Sequence, residues 1–373
     1  MIKIIQDIIN IRRNLVVENP IPLSIAINIT GRCNLKCEFC EKSHNISKDE
    51  IDFQGVKKLI DFGLKYNCSI FIGGGEPFLH KQIWHILRYC KDVGKKVSIV
   101  TNGSLFNALS PEQYELLNSA ISMMSISIDS ADAGKHDEMR GVKGTFDRVV
   151  KFLNNPLRKN RVGINCLLTP DLQNVQPMVD FAKEFRCSLN FQPVIFESNY
   201  PTIIKVKWKE NMQKTMTFSS EKMDILRSSY RYAKRQKVVT NLSLIMRFID
   251  KYFQYANSDK YFFDYVLDKF LCFIPSQQLT VDEKGFIAPC VFLSGECSIY
   301  NGNIYDNWRN LALKYREILK KGGKFQVCKS CSCHFAENYR SSIIAYPLAN
   351  WSHLWWFLAY YSKRLFYGEG RKI

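Results

Sequence analysis

The sequence predicts an α/β protein: a partial (β/α)6 barrel, then a helical connector, then a small cysteine-rich α+β domain. Three observations carry this. Short alternating or β-branched runs recur between amphipathic helical stretches. Glycine-rich and polar motifs fall at the carboxyl ends of the first strands, where parallel barrels keep their working residues. A stretch of different composition then separates these elements from a second set of cysteines. At 373 residues and 46% hydrophobic composition, the chain is long enough to bury the core of two domains.

Taken in order, Met1 to Leu15 places Ile4, Ile5, Ile8, Ile9 and Ile11 at largely helical spacing, with Lys3, Asp7, Arg12 and Arg13 for the other face. Residues 1–21 therefore read as an amphipathic helix, ended by the Pro20-Ile-Pro22 break. The barrel is expected over 22–200. Its strands are Leu23 to Thr30, Ser69 to Gly73, Val97 to Thr101, Met123 to Asp129, Val162 to Thr169 and Ser188 to Ile195, with helices such as Phe53 to Tyr66 and Gln82 to Val93 between them. Strands alternating with helices argue for a parallel sheet with right-handed crossovers, and the count suits an open, TIM-like (β/α)6 barrel. Gly73-Gly-Gly-Glu-Pro77, Thr101-Asn-Gly103 and Ser127-Ile-Asp-Ser130 end the second, third and fourth strands. Residues 201–265, with helical periodicity in Ser219 to Lys237 and Ser243 to Tyr255, read as a helical connector. The cysteine-rich domain is expected over 266–340 and an aromatic tail over 341–373.

The formal charge is +17, which favours an acidic partner or simply a basic solvated surface. The basic residues are dispersed, and the aromatic and arginine pattern of an RNA-recognition sheet is absent, so nucleic acid is not the favoured partner. Thirteen cysteines are an odd number and cannot all pair in disulfides. With no secretory leader in view, the reading is a cytoplasmic protein whose reduced thiols hold metal.

Cys33, Cys37 and Cys40 lie in the run Gly31-Arg-Cys-Asn-Leu-Lys-Cys-Glu-Phe-Cys. A cubic [4Fe–4S] cluster normally takes four cysteines, so three leave one iron free for another ligand. Zinc would need a fourth protein ligand, for which His44 is the nearest histidine. The C-x3-C-x2-C spacing resembles the signature of the radical S-adenosylmethionine (radical SAM) superfamily. The resemblance implies a catalytic [4Fe–4S] cluster on these three cysteines and S-adenosyl-L-methionine chelated at the open iron. Reductive cleavage of that cofactor would give a 5′-deoxyadenosyl radical that abstracts hydrogen from a substrate. It also implies a reductant such as flavodoxin or ferredoxin.

On the same resemblance, Phe39 stands beside the adenine. Gly74, Gly75 and Glu76 fall in the segment that meets the methionine ammonium, with Gly73 to Gly75 permitting close backbone approach and Glu76 supplying an acceptor. Ser127 and Asp129 would take the ribose hydroxyls. Arg140, in His136-Asp-Glu-Met-Arg-Gly-Val-Lys-Gly144, is either a bidentate partner of the methionine carboxylate or an ordinary surface arginine. Asn165 and Gln192 face the barrel interior or the core. Cys68, Cys90, Cys166 and Cys187 read as packing residues.

Cys272, the run Gly285-x4-Cys290, and Cys328-x2-Cys331 resemble the SPASM and twitch extensions that hold auxiliary [4Fe–4S] clusters. The full SPASM pattern carries further spaced cysteines. This chain offers only Cys333, so one auxiliary cluster is expected on Cys272, Cys290, Cys328 and Cys331, with Cys297 and Cys333 as substitutes and zinc as the rival metal. An electron-accepting cluster favours an oxidoreductase or maturase. Lipid-linked, sugar or small-molecule and peptide substrates all remain, and the basic charge and tail tilt toward the first. From Ser341 to Ser362 there is no Asp, Glu, Lys or Arg, and Trp351, Trp355 and Trp356 crowd that stretch. The tail therefore docks on the barrel or lies at a bilayer interface as a peripheral contact. The rival reading is a metal-stabilised binding protein for nucleic acid or a membrane surface.

Overall fold

Ile25, Ile27 and Ile29 alternate with Ser24, Ala26 and Asn28, and this period of two makes β1 (Ser24–Thr30) a strand with one fully buried face. The computed structural model describes residues 9–37, 39–40, 47–168, 174–193, 220–246, 273–291 and 293–320. After β1 come α1 (Phe53–Lys65), β2 (Ser69–Gly74), α2 (Ile83–Asp92), β3 (Val97–Thr101), α3 (Pro111–Ala120), β4 (Ile121–Ser127), α4 (Ala133–Arg140), α5 (Thr145–Leu153), β5 (Val162–Leu168), α6 (Gln176–Glu184) and β6 (Ser188–Pro193). These six strands pair in parallel in the order β6-β5-β4-β3-β2-β1. The sheet is open, and helices cover one face. Val56, Leu59 and Ile60 of α1 and Ile83, Ile86 and Leu87 of α2 join the strand isoleucines in the buried core.

Local chemistry sets where the helices start. Asp52 caps α1 by accepting from Gly55 N at 2.7 Å. Ser110 and Gln113 form a reciprocal capping box on α3, with Pro111 in the first turn. Asp132 caps α4, and Gly141, at φ +68°, ends it.

The expected strands and barrel helices are present within the described residues, with shifted ends. Tyr66, Gln82 and Val93 cap helices rather than continue them. The fourth strand starts at Ile121 and stops at Ser127, because α3 runs directly into it at Ala120 and a register irregularity follows Val97. Thr169, Val194 and Ile195, expected as strand ends, lie outside the described residues, as do Met1 to Ile8, His44 and the tail at 341–373.

The connector is more than a link. Of its expected helices, α7 (Ser220–Arg235) and the short α8 (Leu242–Ile245) are described. Between them the chain runs along the β6 edge: Leu189 N donates to Val239 O, and Asn241 both accepts from Phe191 N and donates to Phe191 O, each at 2.8 Å. The third module is also continuous with the first. After α9 (Ile274–Gln277), β7 (Gln278–Val281) pairs in parallel with β1, Ser24 opposite Gln278 and Ile27 opposite Val281. Then β8 (Phe286–Ala288) and β9 (Cys297–Ser298) extend the sheet antiparallel. Its last element, α10 (Ile304–Lys320), reaches back to the amino-terminal segment. Arg316 donates to Asn14 O and Val17 O, and the Asn14 amide reaches Ile21 O, Ser276 O and Gln277. Among the described residues no helix is long and apolar enough to cross a membrane.

Asn241→Ala removes both bonds that tie the connector to β6. It is expected to lower stability by about 1–3 kcal/mol, read as the shift in a denaturant midpoint.

Candidate functional site

The cysteine run leaves β1 at Thr30 and returns alongside it. Gly31 N donates to Asp49 O at 2.9 Å, Ile51 N donates to Ile29 O at 3.1 Å, and Thr30 bridges Glu50 antiparallel. Arg32 and Glu50 form an ion pair at 3.3 Å across this base. The loop is thus a closed excursion at the carboxyl ends of the parallel strands.

The end of β2 holds the loop first. Gly75 N donates to Thr30 O at 2.8 Å and Glu76 N to Arg32 O at 2.7 Å. A Cβ at Gly74, whose φ is +123°, would sit 2.4 Å from Thr30 O, and one at Gly75 would sit 2.1 Å from Arg32 O. The close approach that these two glycines permit is therefore by the chain's own loop. At Gly73 a Cβ would meet only Asn28 Oδ1 at 3.7 Å. Glu76 is fully buried, and its carboxylate accepts from Thr101 Oγ1 and Asn102 N at 2.7 Å and Phe78 N at 3.1 Å. The side chain expected as a ligand acceptor is thus engaged in joining β2 to β3. Burial pushes its pKa up to about 7 against the pull of those three donors.

The end of β3 holds the loop next. Asn102 Nδ2 donates to Asn34 Oδ1 at 3.1 Å and lies 4.0 Å from Cys33 Sγ, while Asn34 donates to Ser104 Oγ at 2.8 Å. Asn34, Asn102 and Ser104 were missing from the sequence-based site. Thr101-Asn-Gly103 at a strand end was the signal available for them.

The β4 side completes the clamp. Lys36 N donates to Arg140 O at 3.1 Å, and a Cβ on Gly141 would strike Lys36 O at 2.6 Å. The Arg140 guanidinium lies 3.9 Å from Cys37 Sγ, 5.3 Å from the Phe39 ring centroid and 2.7 Å from Asp129 Oδ2. The last contact falls outside hydrogen-bond angles, so it acts as a close charge pair. Arg140 is buried, which excludes the ordinary surface arginine. Asp129 is also buried; its other oxygen accepts from Leu167 N at 3.0 Å, and its backbone N–H donates to His136 Nδ1. The carboxylate expected to take ribose hydroxyls is thus committed inside the protein. Ser127 remains half-buried at the strand end, opposite Asn165. Asn165 is half-buried and Gln192 exposed, while Cys68, Cys90, Cys166 and Cys187 are buried.

Cys37 is buried, and Cys33 and Cys40 are half-buried. Burial pushes Cys37 up to about 11, with Arg140 pulling it back, and raises Cys33 as well. The Cys40 charge raises both Cys33 and Cys37, and Cys33 raises Cys37, yet among the described residues no three Cys, His, Asp or Glu side chains gather closely enough for one metal ion. A single zinc needs its sulfurs at about 2.3 Å, whereas a four-iron cube takes each cysteine on a different iron. Three soft, spread donors with N–H groups of Asn102 and Arg140 beside two of them fit such a cube. Of the second cysteine set, Cys290 and Cys297 are half-buried on the β8–β9 hairpin, and Cys272, Cys328, Cys331 and Cys333 lie outside the described residues.

Residues 27–182 match the model of the Radical SAM superfamily. The chain is similar to the AdoMet-dependent heme synthase of Methanosarcina barkeri, 36% identical over 44% of this chain and 48% of that protein. It is also similar to the antilisterial bacteriocin subtilosin biosynthesis protein AlbA of Bacillus subtilis, 32% identical over 45% and 38%. These matches span less than half the length of either relative. In fold, the chain resembles the crystal structure of Streptococcus suis SuiB bound to precursor peptide SuiA, with a TM-score of 0.58, 18% identity and coverage of 88% of this chain and 75% of that one.

Two predictions follow from the clamp. Gly75→Ala drives a methyl into Arg32 O and is expected to cost about 1–3 kcal/mol and to leave less iron per chain after reconstitution, read by a colorimetric iron assay. His136 is fully enclosed, and burial, with the Arg140 charge, lowers its pKa to about 4. Below the ordinary pKa near 6.5 the unfolded chain takes a proton that the folded chain refuses until about pH 4. Stability therefore falls as pH drops through that window, by about 3 kcal/mol; His136→Gln should flatten this part of the acid limb in denaturant titrations.

Proposed function

We propose that this chain is a radical SAM enzyme, a reading supported by the match of residues 27–182 to the Radical SAM superfamily model. Cys33, Cys37 and Cys40 would hold three irons of a [4Fe–4S] cluster, and S-adenosyl-L-methionine would occupy the fourth. When bound, this pair supplies a one-electron cleavage of the sulfonium that gives an abstracting adenosyl radical. The observation that carries the reading is the clamp: the cysteine loop is fastened to the ends of β1, β2 and β3 and to the Arg140 end of α4. Such fastening keeps a reactive centre at the mouth of the barrel in one geometry.

In this reading Phe39 and Ser127 meet the cofactor directly. Gly74, Gly75 and Glu76 act through backbone shape, the glycines by letting the loop approach and Glu76 by locking β2 to β3. An auxiliary [4Fe–4S] cluster on Cys272, Cys290, Cys328 and Cys331 is part of the proposal, supported by the motif spacing and by the half-buried Cys290 on the β8–β9 hairpin. It fits an oxidoreductase or maturase that draws its electron from flavodoxin or ferredoxin. The proposed substrate is a peptide. Support comes from the bacteriocin biosynthesis relative and from the fold shared with a protein solved with its precursor peptide. The lipid-linked alternative rests on the basic charge and the aromatic tail, of which the tail lies outside the described residues.

Anaerobically reconstituted protein with a reductant should release 5′-deoxyadenosine from S-adenosyl-L-methionine, read by liquid chromatography. Cys37→Ala should reduce that release to background. Cys328→Ala is expected to keep cofactor cleavage while halting product formation. Wild-type-like release from the Cys37 variant would contradict the assignment.

A further inference from the structure

We propose that Arg140 is a positioning residue that tunes the reduction potential of the cluster on Cys33, Cys37 and Cys40, with Asp129 as its anchor. The inference rests on the radical SAM reading of those cysteines. It departs from the expectation that Arg140 receives the cofactor's carboxylate.

Its geometry is fixed at both ends. The backbone of Arg140 accepts from Lys36 N at 3.1 Å, and Gly141 lies so near Lys36 O that a Cβ there would come within 2.6 Å. The end of α4 and the cysteine loop therefore cannot separate without breaking this contact. At the other end the guanidinium sits between Cys37 Sγ at 3.9 Å and Asp129 Oδ2 at 2.7 Å, with the Phe39 ring 5.3 Å away. Arg140 is 8% exposed and Asp129 1%. Water screens these charges weakly, and their field acts on the nearest sulfur.

A thiolate-ligated cube gains one negative charge when it accepts an electron from a reductant: [4Fe–4S]2+ plus one electron gives [4Fe–4S]+, with no bond broken. A buried cation beside a ligand sulfur stabilises that reduced form and raises the potential, and a nearby anion lowers it. Arg140 and Asp129 thus act in opposite directions, and the carboxylate also keeps the guanidinium facing Cys37. Arginine suits the place because it stays charged when buried.

The test uses the full chain, reconstituted anaerobically with iron and sulfide, as wild type, Arg140→Gln, Arg140→Lys and Asp129→Asn. Each is titrated with dithionite while the electron paramagnetic resonance of the reduced cluster is recorded. The signal that changes on adding S-adenosyl-L-methionine marks the cluster with the open iron. Arg140→Gln should shift the midpoint to more negative potential, Arg140→Lys should stay near wild type, and Asp129→Asn should shift it to less negative potential. Shifts of one sign in the Gln and Asn variants, or none in either, overturn the proposal. If Arg140→Gln fails to take up iron, the Lys and Asn variants decide, and an unshifted Asn variant overturns it. A wild-type protein that assembles no cofactor-sensitive cluster overturns the radical SAM reading instead.

Discussion

Glu76 joins three parts of the site through one buried residue. Its backbone N–H donates to Arg32 O in the cysteine loop, and its carboxylate accepts from Phe78 N, Thr101 Oγ1 and Asn102 N. Removing that carboxylate would leave buried donors without acceptors, each costing about 1–3 kcal/mol. Asn102, placed by this bond, carries the amide that reaches Asn34 and Cys33. The position of the first cysteine therefore depends on a carboxylate at the end of the neighbouring strand, β2. A second chain of contacts, from Asp129 through Arg140 to Cys37, fixes the middle of the loop. Truncating either partner of such a buried charge pair costs about 3–5 kcal/mol.

Much of the barrel was legible because its strands follow a strict period. In β1 the buried isoleucines fall on every second residue, and in α1 the buried positions recur at helical spacing. Strand ends were harder, because they depend on neighbours: the early start of β4 reflects α3 running into it without a loop. The pairing of β7 with β1 was not legible. It joins residues 254 positions apart, such as Ser24 and Gln278, and nothing local in Gln278 to Val281 states which edge it will cover. The site shows the same division. Three cysteines on one loop can be read from spacing alone, while the tasks of Glu76, Asp129 and Arg140 depend on partners that other strands supply.

The matched stretch 27–182 runs from β1 into α6 and includes Gly75, Glu76, Asn102, Asp129 and Arg140. The clamp thus lies wholly within the stretch that matches the family model. Among the described residues beyond that stretch, the connector runs along β6, and β7 with its hairpin extends the sheet from β1. Edges accept new segments without disturbing the strand order between them, so variation there can alter a binding surface while the loop and its fastenings stay unchanged.

The lateral seat of β7 bears on how the chain matures. During synthesis, β1 and β2 leave the ribosome well before residues 278–281 exist, so the backbone groups on the far side of β1 wait without their final partner. Such an exposed margin is a template for unwanted pairing between nascent molecules. Only when residues 278–281 have emerged and paired with β1 is that margin covered.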